Sequence, residues 1–104
     1  MSNDIQAMRE QCDRATAFLK LLANPNRLAI LCTLHDGKQN VNSLAKLLDM
    51  PQAALSNQLI LLREAGFVDC EINHRERLYY LKDPRVVETI HLLHGFFCHP
   101  SQTS

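Results

Sequence analysis

The chain has 104 residues, 11 basic and 11 acidic, no tryptophan, and an apolar share of 46%. That length supports one domain with a small core, and that composition belongs to a folded chain rather than a disordered one. A formal net charge of zero argues against a protein that coats nucleic acid regardless of sequence. No apolar run approaches the ~20 residues of a membrane span. The opening Met1-Ser2-Asn3-Asp4 lacks the basic-then-apolar order of a signal peptide, so a cytoplasmic location is expected.

Over 4–23, Met8, Cys12, Ala15, Leu19 and Leu22 recur in steps of four and three and define one helical stripe, widened by Phe18 and Leu21. Asn24-Pro25 ends that helix and opens the next. The asparagine side chain can accept from the free amides of a helix start, and a first-turn proline lacks only an N–H that has no partner there. The second helix runs to about Asp36, with Leu28, Ile30, Leu31 and Leu34 inward, and Gly37 stops it. Asn42 or Ser43 is the expected cap of a short third helix through Leu44, Leu47 and Leu48. Pro51 opens a fourth with a buried stripe of Leu55, Leu59 and Leu62, closed at Gly66. Phe67 to Ile72 and Arg77 to Leu81 read as strands joined by Asn73-His74-Arg75-Glu76. Asp83-Pro84 repeats the cap-and-proline start, and the last helix carries Val86, Val87, Ile90, Leu93 and Phe97.

The order ααααββα is that of a winged helix-turn-helix, mainly α with a small β-hairpin, in a single domain over 1–104. The helix-turn-helix occupies 42–66 and the wing 67–82. Helices 4–23 and 84–98 are expected to dimerise: Leu92, Leu93, Phe96 and Phe97 crowd the last helix beyond what one small core absorbs, and the first has a heptad-like stripe. A two-fold pair also suits recognition of a palindromic site. A recognition helix meets base edges with its first turns. Gln52, Ala53, Ser56, Asn57 and Gln58 sit there, and all but Ala53 can hydrogen-bond to bases or phosphates. His74, Arg75 and Arg77 on the hairpin supply cations for the adjacent backbone or minor groove. The plainer alternative is a helical domain with a solvated polar face and an ordinary charged turn.

Four cysteines stand at positions 12, 32, 70 and 98. They form no CxxC, which argues against a zinc ribbon or a thioredoxin-type motif. One thiol precedes the DNA-reading unit and another closes the helix after it, an arrangement that suits a switch. His35 follows Cys32 by three residues; His94 and His99 flank Cys98. A protonated imidazole in such a position favours thiolate. Taken alone, Cys32 reads rather as a small inert core residue and Cys98 as an incidental tail residue. Cys12 lies on an apolar stripe and is expected to pack; Cys70 has no obvious partner.

The segments Leu22-Ala23-Asn24-Pro25-Asn26-Arg27-Leu28-Ala29-Ile30-Leu31, Ala54-Leu55-Ser56-Asn57-Gln58-Leu59-Ile60-Leu61-Leu62-Arg63-Glu64-Ala65-Gly66-Phe67-Val68 and Arg77-Leu78-Tyr79-Tyr80-Leu81 resemble the ArsR family of bacterial winged-helix repressors. Ile30-Leu31-Cys32-Thr33-Leu34 and Leu92-Leu93-His94-Gly95-Phe96-Phe97-Cys98 resemble its sulfur-responsive branch, which includes BigR, SqrR and HlyU, as does the thiol separation of 66 residues. The resemblance implies a homodimeric repressor bound to pseudo-palindromic promoter DNA while its thiols are reduced. It implies release when reactive sulfur species link Cys32 to Cys98 within a subunit, through a tetrasulfide or, in some members, a disulfide. Pro51, Asn57 and Gln58 depart from the common pattern of the recognition helix, so the preferred operator is expected to differ.

A metal-sensing relative and a peroxide or disulfide sensor are the rival readings. Arsenic- and cadmium-type sites use cysteines near the start of the third helix, where Lys38-Gln39-Asn40-Val41-Asn42-Ser43-Leu44 has no Cys or His. Zinc-type sites pair an Asp-x-His with a later His pair. His91 and His94 supply the pair, but Asp83-Pro84-Arg85 puts Arg where a ligand belongs. No metal ligands and no cofactor are therefore expected. Catalysis is not expected either: the chain has only three glycines, no phosphate-cradling loop, no nucleophile elbow and no HExxH.

Overall fold

A computed structural model describes residues 2–98 of the chain, with side chains from residue 4. Five helices and one hairpin follow in the order α1 (Ser2–Leu22), α2 (Pro25–Asp36), α3 (Val41–Leu48), α4 (Gln52–Glu64), β1 (Val68–Asn73), β2 (Glu76–Leu81) and α5 (Pro84–Phe97). Two of the starts follow the local chemistry read from sequence. The Asn24 side chain accepts from the amides of Asn26 and Arg27, and that of Asp83 accepts from the amide of Arg85; a proline follows each cap. Gly66, at φ 80°, takes the left-handed turn that ends α4 and lets Phe67 enter the core.

The start of α3 differs from expectation. Its cap is Asn40, whose side chain accepts from the amide of Ser43, and neither Asn42 nor Ser43 caps it. The cause is nonlocal. Gln39 and Tyr79 exchange both backbone hydrogen bonds, at 3.1 and 2.8 Å, which pins the residue before Asn40 to the edge of β2. The hairpin is also tighter than its sequence suggests. Asn73 pairs with Glu76, so only His74 and Arg75 form the turn. His74 stands at φ 62°, a positive value of the kind two-residue hairpin turns require and histidine rarely adopts.

The core is a single cluster. Ile30, Leu31, Leu34, Leu44, Leu55, Leu59 and Leu62 fill the space between α2, α3 and α4; Phe67, Val68 and Tyr79 close it from the hairpin, and Val86 and Ile90 from α5. Full burial of a leucine or isoleucine is worth about 1.5–3 kcal/mol, so these side chains hold the helix-turn-helix and wing as one body. No polar or charged side chain is buried among the described residues.

The first helix joins that body only at its end. Leu22 is buried and Phe18 and Leu21 half-buried, whereas every residue over 4–17 is exposed. Phe18 packs against Phe67 with ring centroids 5.1 Å apart and lies under the Arg85 guanidinium at 5.3 Å. The radius of gyration, 16.0 Å, exceeds the roughly 13 Å of a compact 100-residue domain, as a projecting helix of this length requires. Cys12, expected to pack, is exposed on this helix because nothing in the protomer lies against its stripe. On α5, Val86 and Ile90 are buried and Leu93 half-buried, whereas Val87 and Phe97 are exposed.

Candidate functional site

The recognition helix is α4, laid against α3 by Leu44, Leu55 and Leu59. Its outer face carries Gln52, Ala53 and Asn57, all exposed, with Ser56 half-buried on the flank. Gln52 donates to the Asn42 side chain, which tethers the first turn of α4 to α3. Together with Asn40, Asn42 and the wing residues Arg75 and Arg77, Gln52 lines an open groove of about 280 Å³. The fold thus joins one helix-turn-helix candidate to two wing cations 23 and 25 residues further on (75−52 and 77−52). His74 lies at the wing tip, exposed. Gln58 is different: it is half-buried and accepts a 3.4 Å hydrogen bond from the Arg27 guanidinium.

Sequence reading missed Arg27. Its Nε donates to the Leu21 carbonyl at 2.6 Å and Nη2 to the Lys20 carbonyl at 3.3 Å, while Nη1 reaches Gln58. It therefore satisfies carbonyls at the free end of α1 and holds the recognition helix with the same planar fork. The available signal was a cation within the first turn of a helix that starts three residues after its predecessor ends (25−22).

The two flanking thiols converge. Cys32 on α2 and Cys98 at the end of α5 line one pocket of about 200 Å³ with Leu28, Leu93, His94 and Phe97; almost all of its surface is apolar. Cys32 is half-buried, and Cys98 is exposed. Burial pushes the Cys32 thiol above its ordinary value, and the nearby Cys98 and Asp36 push it further in the same direction. Burial thus works against the thiolate expected at Cys32, while the His35 ring stacks on His91 at a centroid distance of 5.9 Å and meets His94 at a tilt at 5.1 Å. Cys98 ends α5 by donating its amide to the His94 carbonyl at 2.8 Å. His99 lies outside the described residues. Cys70 lies half-buried on β1, paired in register with Tyr79, and Cys12 sits on α1 away from both.

Asp83 is occupied. Its carboxylate caps α5 and takes three hydrogen bonds of 2.7–3.2 Å from the Arg85 guanidinium, which hold its pKa below the usual carboxylate range. The stretch Lys38–Leu44 holds the Gln39–Tyr79 bridge and the α3 cap, with no metal-ligating side chain.

A helix-turn-helix backed by a hairpin wing, with polar and cationic side chains on one open face, defines a DNA-binding transcriptional regulator and not an enzyme. Residues 24–69 match the model of the bacterial regulatory protein arsR family. The chain is 37% identical over 98 residues to the biofilm growth-associated repressor of Agrobacterium fabrum, covering 94% of this chain and 84% of that one. The structure of reduced HlyU from Vibrio cholerae superposes with a TM-score of 0.86 at 36% identity, covering 90% of this chain and 99% of that one. A homodimeric winged helix-turn-helix domain of a possible ArsR-family regulator from Mycobacterium bovis superposes with a TM-score of 0.74 at 25% identity, covering 86% and 82%. The chain belongs to the ArsR family of transcriptional regulators. Within it, the chain stands with the biofilm growth-associated repressor and HlyU, as the flanking segments of Cys32 and Cys98 lead one to expect. No described helix is long and apolar enough to cross a membrane.

Proposed function

We propose that the chain is a cytoplasmic homodimeric repressor that senses reactive sulfur species through Cys32 and Cys98 and releases its operator when they are bridged. The observation that carries this reading is the shared pocket: two thiols 66 residues apart face one small apolar cavity. A direct disulfide needs Cα atoms roughly 4.4–6.8 Å apart, and inserted sulfur atoms relax that demand. Exposed Cys98 meets the donor first, and half-buried Cys32 completes the bridge. For each inserted sulfur, a cysteine thiolate attacks the outer sulfur of a persulfide R–S–SH, the donor S–S bond breaks, and the R–S thiol leaves. Joining the two cysteines withdraws two electrons and two protons from the pair and reduces one further donor S–S bond.

Transmission runs through α2. That helix carries both Cys32 and Arg27, and Arg27 grips the end of α1 and the recognition helix. Tying α2 to the end of α5 shifts this contact, and with it the spacing of the two recognition helices in the dimer. The DNA turn fixes half-site spacing, and a coupling of about 1–3 kcal/mol weakens affinity roughly 5- to 150-fold. On DNA, Gln52, Ala53, Ser56 and Asn57 face the major groove and His74, Arg75 and Arg77 the flanking backbone or minor groove, with Gln58 steadied by Arg27.

Cys32→Ser and Cys98→Ser are each expected to bind operator in fluorescence anisotropy yet stay bound after treatment with a persulfide donor. A Cys98→Ser protein that lets go like wild type overturns the reading. Intact-mass analysis reports the number of sulfurs in the bridge. A clean disulfide formed by peroxide with equal release would favour the plain redox sensor instead. Arg77→Ala is expected to lower the log–log salt slope of binding by about 1; an unchanged slope would take Arg77 off the DNA.

A further inference from the structure

Beside the thiol pocket, where the end of α2 meets the last turns of α5, lies a second cluster that shares only His94 with it. His35, Asp36 and His94 each offer one ligand atom, and these atoms all lie within 4.8 Å of one another. His35 Nδ1 stands 3.8 Å from the Asp36 carboxylate, is buried, and has no hydrogen-bond partner among the described residues. A polar nitrogen buried without a partner is unfavourable, and a bound cation would satisfy it. The His91 ring stacks on His35 at 5.9 Å, one helical turn before His94 on the same side of α5. Three imidazoles and a carboxylate therefore crowd one small volume.

We propose that this cluster is a binding site for a first-row divalent cation such as Zn²⁺ or Co²⁺, with His35, Asp36 and His94 as ligands and His91 poised for the fourth position. Imidazole nitrogen and carboxylate oxygen suit these ions. Around a tetrahedral ion with bonds near 2.1 Å the ligand atoms stand roughly 3.4 Å apart, so the closure needed is a small rotation of side chains. His35 is held by packing, whereas Asp36, at 77% exposure, is free to swing in. Two of the ligands come from α2 and one from α5, so the ion would span two helices within one protomer. It does not involve Asp83, which Arg85 occupies. The site stands whether or not the thiols sense sulfur, because its ligands contain none.

The test is anaerobic titration of the reduced, full-length protein with Co²⁺ and then Zn²⁺, by absorption and calorimetry, in wild type and in Cys32→Ser/Cys98→Ser. One ion per protomer is expected in both, with the visible d–d bands of a low-coordinate nitrogen and oxygen site and no sulfur-to-cobalt charge-transfer band. His35→Gln and His94→Gln should each weaken binding at least tenfold. The half-exposed His94 keeps the test decisive if His35→Gln fails to fold, with circular dichroism as the check. Two results overturn the proposal: a charge-transfer band that vanishes with the cysteines, which would make the site a thiolate one, or an affinity that neither histidine variant moves.

Discussion

The helix-turn-helix with its wing and the pair of terminal helices use the same kind of side chain in opposite ways. Leu44, Leu55, Leu59 and Leu62 are all but sealed from solvent. Met8 and Leu19 on α1 are 57% and 56% exposed, and Leu92, Phe96 and Phe97 on α5 are 55%, 61% and 78% exposed. One set of apolar residues completes a protomer; the other is left for a surface outside it. The contrast teaches that the DNA-reading body is finished within one chain, whereas the terminal helices keep apolar surface that the protomer leaves uncovered. The thiol pocket lies on the boundary, with Cys32 on a core helix and Cys98 on a terminal one.

The largest expected effect tests the finished half. Leu59→Ala removes a fully buried side chain from the centre of the core and should cost about 2–5 kcal/mol in urea unfolding. A loss below 1 kcal/mol, on the order of a surface change, would mean the core is looser than its burial indicates. Next, Leu19→Glu places a charge on the open face of α1. It should leave helix content intact while shifting sedimentation toward the monomer and weakening operator binding at least tenfold, about 1.4 kcal/mol. Unaltered mass would move the dimer surface elsewhere. The smallest effect probes the boundary. The Cys32 thiol is held above its ordinary range, so the fold favours its neutral form. Stability from this group is therefore intact below the ordinary thiol value of about 8.5 and is lost as pH rises through the raised value. Alkylation of Cys32 in a Cys12→Ser/Cys70→Ser/Cys98→Ser background should still be accelerating at a pH where a free thiol has levelled off, though less so than in wild type, since the Cys98 charge is gone. A plateau at the free-thiol value would contradict the burial.

Much of this was legible along the chain because it is local. Apolar residues at helical spacing located all five helices, and asparagine or aspartate before proline marked two of their starts. What escaped depends on contacts distant in sequence. Asn40 caps α3 because Gln39 is captured by Tyr79, forty residues later (79−39). The role of Arg27 requires α1, α2 and α4 to meet. Both cysteines could be singled out by resemblance, but their common cavity exists only once α5 lies on α2. The same docking brings His35 against His94, a contact that i, i+3 spacing along α2 does not reveal. An apolar stripe is ambiguous in a related way: on α4 it met a core, while on α1 the same periodicity left Cys12 and Leu19 in solvent.

One detail of the last helix bears on time rather than on affinity. Cys98 closes α5 with a single amide bond to His94, in extended backbone at φ −117° and ψ 91°. Helix ends open and reclose at little cost. In the proposed bridged state the Cys32 sulfur, half-buried beside Leu28, Leu93 and Phe97, would be less open to reductants while that last turn is wound than when it unwinds. The interval before the regulator returns to its operator would then follow the fraying of one helical turn as well as the reductant concentration, giving the cell a built-in delay.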